Sequence, residues 1–312
     1  MSSRVLVTGG AGFIGSHTVH ALLAAGRAVT VLDDFSTGRR QNLDGCRGDL
    51  QLVEGSVADA AAVARAMTGV TGVVHLAALP SVSRSLERPL DSHHACATGT
   101  VQILDAARRA GARVVYAGSS SAYGNQQEQW KREDMREDPL SPYAAAKLAG
   151  ELYCRSFARV FAVPVVVTRF FNVFGPRQTP DSPYSGVVAA FCFALLRGTR
   201  PRIDGDGLQS RDFTYVEDVV GGIVRALDAQ TRGCEIVNLA YGQSCTVRDL
   251  LAQLCRIAGR TVEPVYAPAR AGDVRHSLAA VDRAKTLLSF SPTVGFAEGL
   301  RRTFDWYRSL YS

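Results

Sequence analysis

The sequence predicts an α/β fold: a doubly wound parallel sheet with a smaller C-terminal α/β lobe. Two observations lead there. Strand-like apolar runs alternate with helix-like segments through the first half of the chain. The first run also passes straight into three glycines spaced to open a helix. Strands are predicted at Val5–Thr8, Ala28–Leu32, Leu50–Glu54, Gly72–Leu76, Arg113–Ala117 and Pro164–Arg169. Helices are predicted between them: an alanine-rich one over Asp59–Met67, and longer ones near Asp91–Ala110 and Pro142–Phe161. After Phe170 the rhythm breaks into a Gly/Pro-rich stretch, Asn172 to Gly186, followed by helices and short strands. The predicted division is residues 1–170 and 171–312, with some exchange of strand or helix between the two and no linker composition at the join.

The opening stretch, Val5-Leu6-Val7-Thr8-Gly9-Gly10-Ala11-Gly12-Phe13-Ile14-Gly15, has a mechanical reading. Gly9 permits the tight strand-to-helix turn, Gly12 lets the backbone approach a pyrophosphate, and Gly15 lets helix and strand pack closely. The helix beginning near Phe13 and Ile14 offers unpaired N–H groups and a positive dipole to phosphate. Asp33 ends the second apolar run, eighteen residues after Gly15, where its carboxylate can accept from adenosine ribose hydroxyls. The set predicts a dinucleotide cofactor. The Asp33 carboxylate repels a 2′-phosphate and favours NAD over NADP; Arg39 and Arg40 are read as a solvated loop.

Composition narrows the partners. The chain has 312 residues, 46% hydrophobic and 21% charged, with a net charge of +6. The cations are scattered arginines without a Lys/Arg block, which fits a small anionic ligand and argues against nucleic acid. Seven cysteines show no C-x-x-C spacing and read as free thiols in a reducing compartment, with no zinc site or other metal site expected. No apolar run approaches a membrane span and no signal peptide precedes the first strand, so no membrane partner and a cytoplasmic location are expected.

The chemistry is predicted at the far end of the first half. Tyr143 and Lys147 stand four apart on a helical pattern and emerge on one face. Ser119, Ser120 and Ser121 follow a strand, at the carboxyl end where open α/β sheets bind ligands. A tyrosine is a poor base at its usual pKa near 10. The Lys147 cation and the positive nicotinamide are expected to bring the Tyr143 pKa toward neutrality, with a serine hydroxyl sharing the proton. A Tyr/Lys pair alone is a commonplace of exposed helices. Here it accompanies a dinucleotide turn.

Together the glycine turn, the Ser119 cluster and Tyr143-x-x-x-Lys147 resemble the extended short-chain dehydrogenase/reductase superfamily, of Rossmann-like fold. Three later stretches resemble the nucleotide-sugar 4-epimerases: Arg169-Phe170-Phe171-Asn172-Val173-Phe174-Gly175-Pro176-Arg177-Gln178, Arg211 to Asp218, and Arg270 to Ser277. The resemblance spans essentially the whole chain. It implies NAD-dependent epimerisation at C4 of a UDP-hexose through a transient 4-keto sugar, with UDP-glucose/UDP-galactose expected and the N-acetylated pair accepted to some degree. Tyr143 is implied as acid/base for the sugar 4-hydroxyl, Lys147 as holder of the nicotinamide ribose, and Ser119 as proton relay. Further cofactor contacts are implied at Ser36, Thr37, Gly38, Val57, Leu76, Ala77 and Ala78. The implied sugar and nucleotide contacts are Ser81, Ser120, Ser121, Asn172, Gln178, Gly186, Val187, Arg211, Arg270, Asp273 and Ser277. Small Ser277 and Gly186 leave room beside the sugar's C2 substituent. A homodimer is implied, through the helices near Asp91–Ala110 and Pro142–Phe161.

The chain departs from the family pattern at Ser56, where Asp often contacts the adenine, at Cys96, where Asn often stands beside the cofactor, and at Pro80, in the loop touching nicotinamide and sugar. Related dehydratases carry Asp-Glu at the positions of Ser120 and Ser121, and related decarboxylases a glutamate at Ser121. Two serines cannot do that acid/base work, which favours simple epimerisation. UDP-glucuronate 4-epimerisation is the alternative; Asn172 and Thr179, where such enzymes often show Thr and Arg, favour a neutral sugar. A non-catalytic NAD-binding regulatory protein is a second alternative, disfavoured because binding needs neither Tyr143 nor Lys147.

Overall fold

Valine dominates the central strands, and its branched side chain suits a pleated surface covered on both faces. A computed structural model describes residues 4–179, 186–269 and 274–311. Six strands, β1 (Arg4–Thr8), β2 (Ala28–Asp33), β3 (Leu50–Glu54), β4 (Val70–His75), β5 (Arg113–Ser119) and β6 (Val165–Phe170), pair in parallel. A seventh, β7 (Cys234–Leu239), lies alongside β6. The order is β7-β6-β5-β4-β1-β2-β3, so the winding reverses between β1 and β4.

Alternate residues face opposite layers. Leu6, Val73, Val114 and Val165 pack with the helices α2 (Ala60–Ala66), α5 (Gly99–Ala110) and α6 (Pro142–Phe161). Val5, Val74, Val115, Val166 and Val237 pack with α1 (Phe13–Ala24) and α8 (Val216–Asp228). A one-residue slip would exchange the two sets, so this double burial specifies the register. A third apolar cluster holds the lobe together, with Phe174, Phe191, Phe213, Leu250, Phe304 and Tyr307 at its centre.

The six predicted strands stand, with β4 starting at Val70 and not at Gly72. β7 and α8 lie beyond residue 170 yet complete the central sheet and one of its faces, an exchange of strand and helix across the predicted join. One feature differs from expectation. The helix predicted over Asp91–Ala110 is interrupted: α4 (Pro89–His93) gives way to a π turn at His94–Thr98 before α5 begins. Just beyond it, in α5, the Thr100 hydroxyl donates back to the Cys96 carbonyl (2.5 Å), sharing that acceptor with the helical ladder.

Candidate active site

Reversal of winding between β1 and β4 opens a crevice at the carboxyl ends of the strands. A cleft of about 1170 Å³ lies there, lined by residues following β1, β2, β4, β5 and β6. At its floor the chain turns from β1 into α1. Gly9 sits at φ +67°, and a β-carbon on it would stand 2.9 Å from the Ala77 backbone. A β-carbon on Gly15 would stand 2.0 Å from the Gly9 carbonyl oxygen. Only glycine lets backbone meet backbone at these points. The freed first-turn N–H groups of α1, at Phe13 and Ile14, border the cleft and suit a pyrophosphate.

Asp33 ends β2 and is 6% exposed. Its two carboxylate oxygens accept from the Ala11 N–H (2.8 Å) and the Phe35 N–H (2.9 Å), so its position is set by the loops on either side. Each oxygen keeps a lone pair for a ribose hydroxyl. Burial raises its pKa, and the two N–H bonds oppose that shift. Arg40 pairs with Glu54 and covers the Phe35 ring, its guanidinium carbon 4.4 Å from the ring centroid, while Arg39 stands exposed at the rim. These groups fit NAD, with Asp33 set against a 2′-phosphate. Ser36, Thr37, Gly38 and Val57 line the same end of the chain's turns, and Leu76, Ala77 and Ala78 follow β4.

The catalytic candidates come from β5 and α6. Ser141 caps α6, its hydroxyl accepting from the Ala144 N–H (3.2 Å), and Pro142 supplies the first helical φ. Tyr143 therefore falls in the first turn and Lys147 in the next, both lining the cleft. Glu151, a turn further, is clamped by Arg169 from β6 at 2.7 and 3.0 Å, which fixes the helix against the sheet. Ser119 ends β5, and its hydroxyl accepts from the Ser121 hydroxyl (2.8 Å) and N–H (3.2 Å). Burial pushes the Tyr143 phenol above its ordinary value, and the Ser119 hydroxyl offsets part of that. Desolvation penalises a phenolate before any charged ligand is considered.

Ser81, Ser120, Ser121 and Asn172 line the cleft, as do Gln178, Gly186, Arg211 and Ser277. Asn172 takes φ +27°, uncommon for a residue with a side chain, as the chain leaves β6. Val187 follows Gly186 at the start of α7 (Val187–Arg197), where its side chain packs against the lobe's apolar cluster. Arg270 and Asp273 lie outside the described residues. Cleft residues that sequence reasoning missed include Arg84, His94 and Lys131. The Lys131 ammonium donates to the Gln126 and Glu128 carbonyls, each at 2.7 Å. Ser81 caps the short helix α3 (Val82–Glu87), which places Arg84 in its first turn, but nothing in the spacing shows that this turn faces the cleft.

Fold and site together define a class, the NAD-dependent enzymes built on a doubly wound sheet. The chain belongs to the NAD dependent epimerase/dehydratase family, whose model matches residues 5–240, and NAD is its cofactor. It is 38% identical to a UDP-glucose 4-epimerase of Mycolicibacterium smegmatis, over 98% of this chain and 99% of that one. Among solved structures it is similar to the UDP-glucose 4-epimerase of Thermotoga maritima with UDP-glucose, at 35% identity and a TM-score of 0.94 over 99% of this chain and 100% of that one. It is also similar to the UDP-N-acetylglucosamine 4-epimerase of Methanobrevibacter ruminantium in complex with UDP-N-acetylmuramic acid, at 35% identity and a TM-score of 0.93 over 99% and 100%.

Proposed function

We propose that this chain inverts C4 of a UDP-hexose, interconverting UDP-glucose and UDP-galactose and admitting the N-acetylated pair. The observation that carries the reading is the company Tyr143 keeps: a serine hydroxyl at Ser119, two further serines, and Lys147, with no carboxylate among them. Among the described residues the acidic side chains lining the cleft are Asp33, Asp34 and Asp91. Asp33 belongs to the cofactor end, and Asp91 is ion-paired with Arg88 at 2.8 Å. An elimination or decarboxylation needs an acid or base of that kind beside the reacting carbons, and two serines do not supply it.

NAD, when bound, supplies a reversible hydride acceptor. Tyr143 takes the 4-hydroxyl proton through Ser119 and returns it after the sugar has turned over. Lys147 holds the cofactor ribose and stabilises the phenolate. Asn172 and Arg211 hold the diphosphate, with Arg270 and Asp273 completing the nucleotide contacts, while Ser277 and Gly186 leave space beside C2. Arginine forks suit phosphate oxygens. Free cysteines support a reducing, cytoplasmic setting. The chain pairs as a homodimer through the helices near Asp91–Ala110 and Pro142–Phe161, the second of which exposes Leu152, Val160 and Phe161.

The test is one substrate panel read by NMR: UDP-glucose, UDP-galactose, their N-acetylated forms and UDP-glucuronate. Interconversion of the neutral pairs without accumulation of NADH is expected. Turnover of UDP-glucuronate alone would overturn the assignment.

A further inference from the structure

We propose that Tyr116 is the positioning residue for Lys147, bearing the ammonium on its ring and fixing the helical turn beneath it through its hydroxyl. The proposal rests on the role given to Lys147 above. Tyr116 lies within β5 and is fully buried, facing α6. Its hydroxyl donates to the Lys147 main-chain carbonyl at 2.9 Å, and the Lys147 Nζ stands 4.4 Å from its ring centroid. One side chain therefore holds both the backbone and the charged end of the same lysine.

Two further observations show that the arrangement is built. Gly150 lies one turn beyond Lys147, and a β-carbon there would stand 2.3 Å from the Tyr116 hydroxyl oxygen. The glycine makes the hole that the phenol fills. Lys147 is 3% exposed, and among the described residues its ammonium has no ion pair or hydrogen bond. The nearby carboxylate, Glu151, gives its oxygens to Arg155 and Arg169. The tyrosine ring is thus the near counterpart of a buried cation, where a cation–π contact is strongest.

The groups around Lys147 are Tyr143, Glu151 and Cys154 on α6, His75 on β4, Tyr116 on β5 and Cys96 from the π turn. Burial lowers the Lys147 pKa, and Cys96, Cys154 and Glu151 oppose it. Loss of the ring removes a stabiliser of the ammonium, so the lysine releases its proton at lower pH.

The experiment measures kcat and KM across pH, together with NAD retained after gel filtration, for Tyr116→Leu, Tyr116→Phe and Lys147→Met. Tyr116→Leu is expected to lower kcat about thirtyfold, the scale of a desolvated cation–π contact, and to move the alkaline limb of the kcat profile to lower pH. Tyr116→Phe keeps the ring and restores that limb, even where its lost hydroxyl lowers the melting temperature. A folded Tyr116→Leu with wild-type kcat and an unmoved limb overturns the proposal. If Tyr116→Leu does not fold, Tyr116→pentafluorophenylalanine keeps the shape and withdraws the ring's electron density; an unmoved limb in that protein overturns the proposal equally. Wild-type turnover in Lys147→Met would instead sink the role of Lys147 itself, a separate failure.

Discussion

The Thr8 hydroxyl and the His75 Nδ1 are 2.7 Å apart, joining the strand that enters the glycine turn to the strand that leads to Ala77. The Thr8 oxygen also accepts from the Ala77 N–H (3.2 Å). On its other side, His75 Nε2 lies 3.0 Å from the Thr100 hydroxyl, whose proton is already given to the Cys96 carbonyl. Thr100 must accept, so His75 is protonated at Nε2 and takes the Thr8 proton at Nδ1. A second ring proton would face a donor.

This gives a stability prediction. Burial lowers the His75 pKa from 6.5 to about 3. Below pH 6.5 the unfolded chain takes up a proton that the folded chain refuses, so stability is lost as pH falls from about 6.5 towards about 3. His17, lowered to about 4 mainly by burial, acts in the same direction. The urea midpoint should fall between neutrality and about pH 5, and His75→Gln should flatten that fall. An equally steep slope in the variant would show that His75 is not its source.

Tyr143→Phe should lose on the order of a hundredfold in turnover, the scale of general acid–base catalysis. The phenol is raised by burial, so activity should depend on cofactor and lysine charge to generate the base, and should fall toward acid pH as the phenolate is protonated. Near wild-type turnover in Tyr143→Phe would remove it from the mechanism.

Asp33→Ala should weaken NAD binding and narrow the preference over NADP, because the carboxylate that meets the ribose is gone. Isothermal titration with both dinucleotides checks this. Unchanged affinity for each would mean that Asp33 serves only its two loop N–H groups.

Ser277→Tyr should abolish turnover of the N-acetylated pair while sparing the unsubstituted one. Ser277 is 8% exposed on the cleft wall and its N–H donates to the Ser210 carbonyl (3.1 Å), so its backbone is anchored and the added ring must enter the cleft. Equal loss of both pairs, measured side by side, would show that this wall does not set specificity.

What could be read from the chain by itself was local. The strand–glycine–helix turn, the Asp33 that ends β2, the Ser141-Pro142 start of α6 and the four-residue spacing of Tyr143 and Lys147 depend on contiguous residues and helical or strand period, so the sequence alone determined them. Tertiary structure decided the rest. β7 joins the sheet edge from far along the chain, and Arg84 and Lys131 reach the cleft through elements whose facing direction no period encodes. The π turn interrupts a helix that the apolar period runs straight through, and the seat of Lys147 on Tyr116 depends on a glycine-sized hole. Even the direction of the Tyr143 shift followed from burial, which no spacing between Tyr143 and Lys147 contains, because desolvation is set by everything that packs around a group and not by its neighbours in sequence.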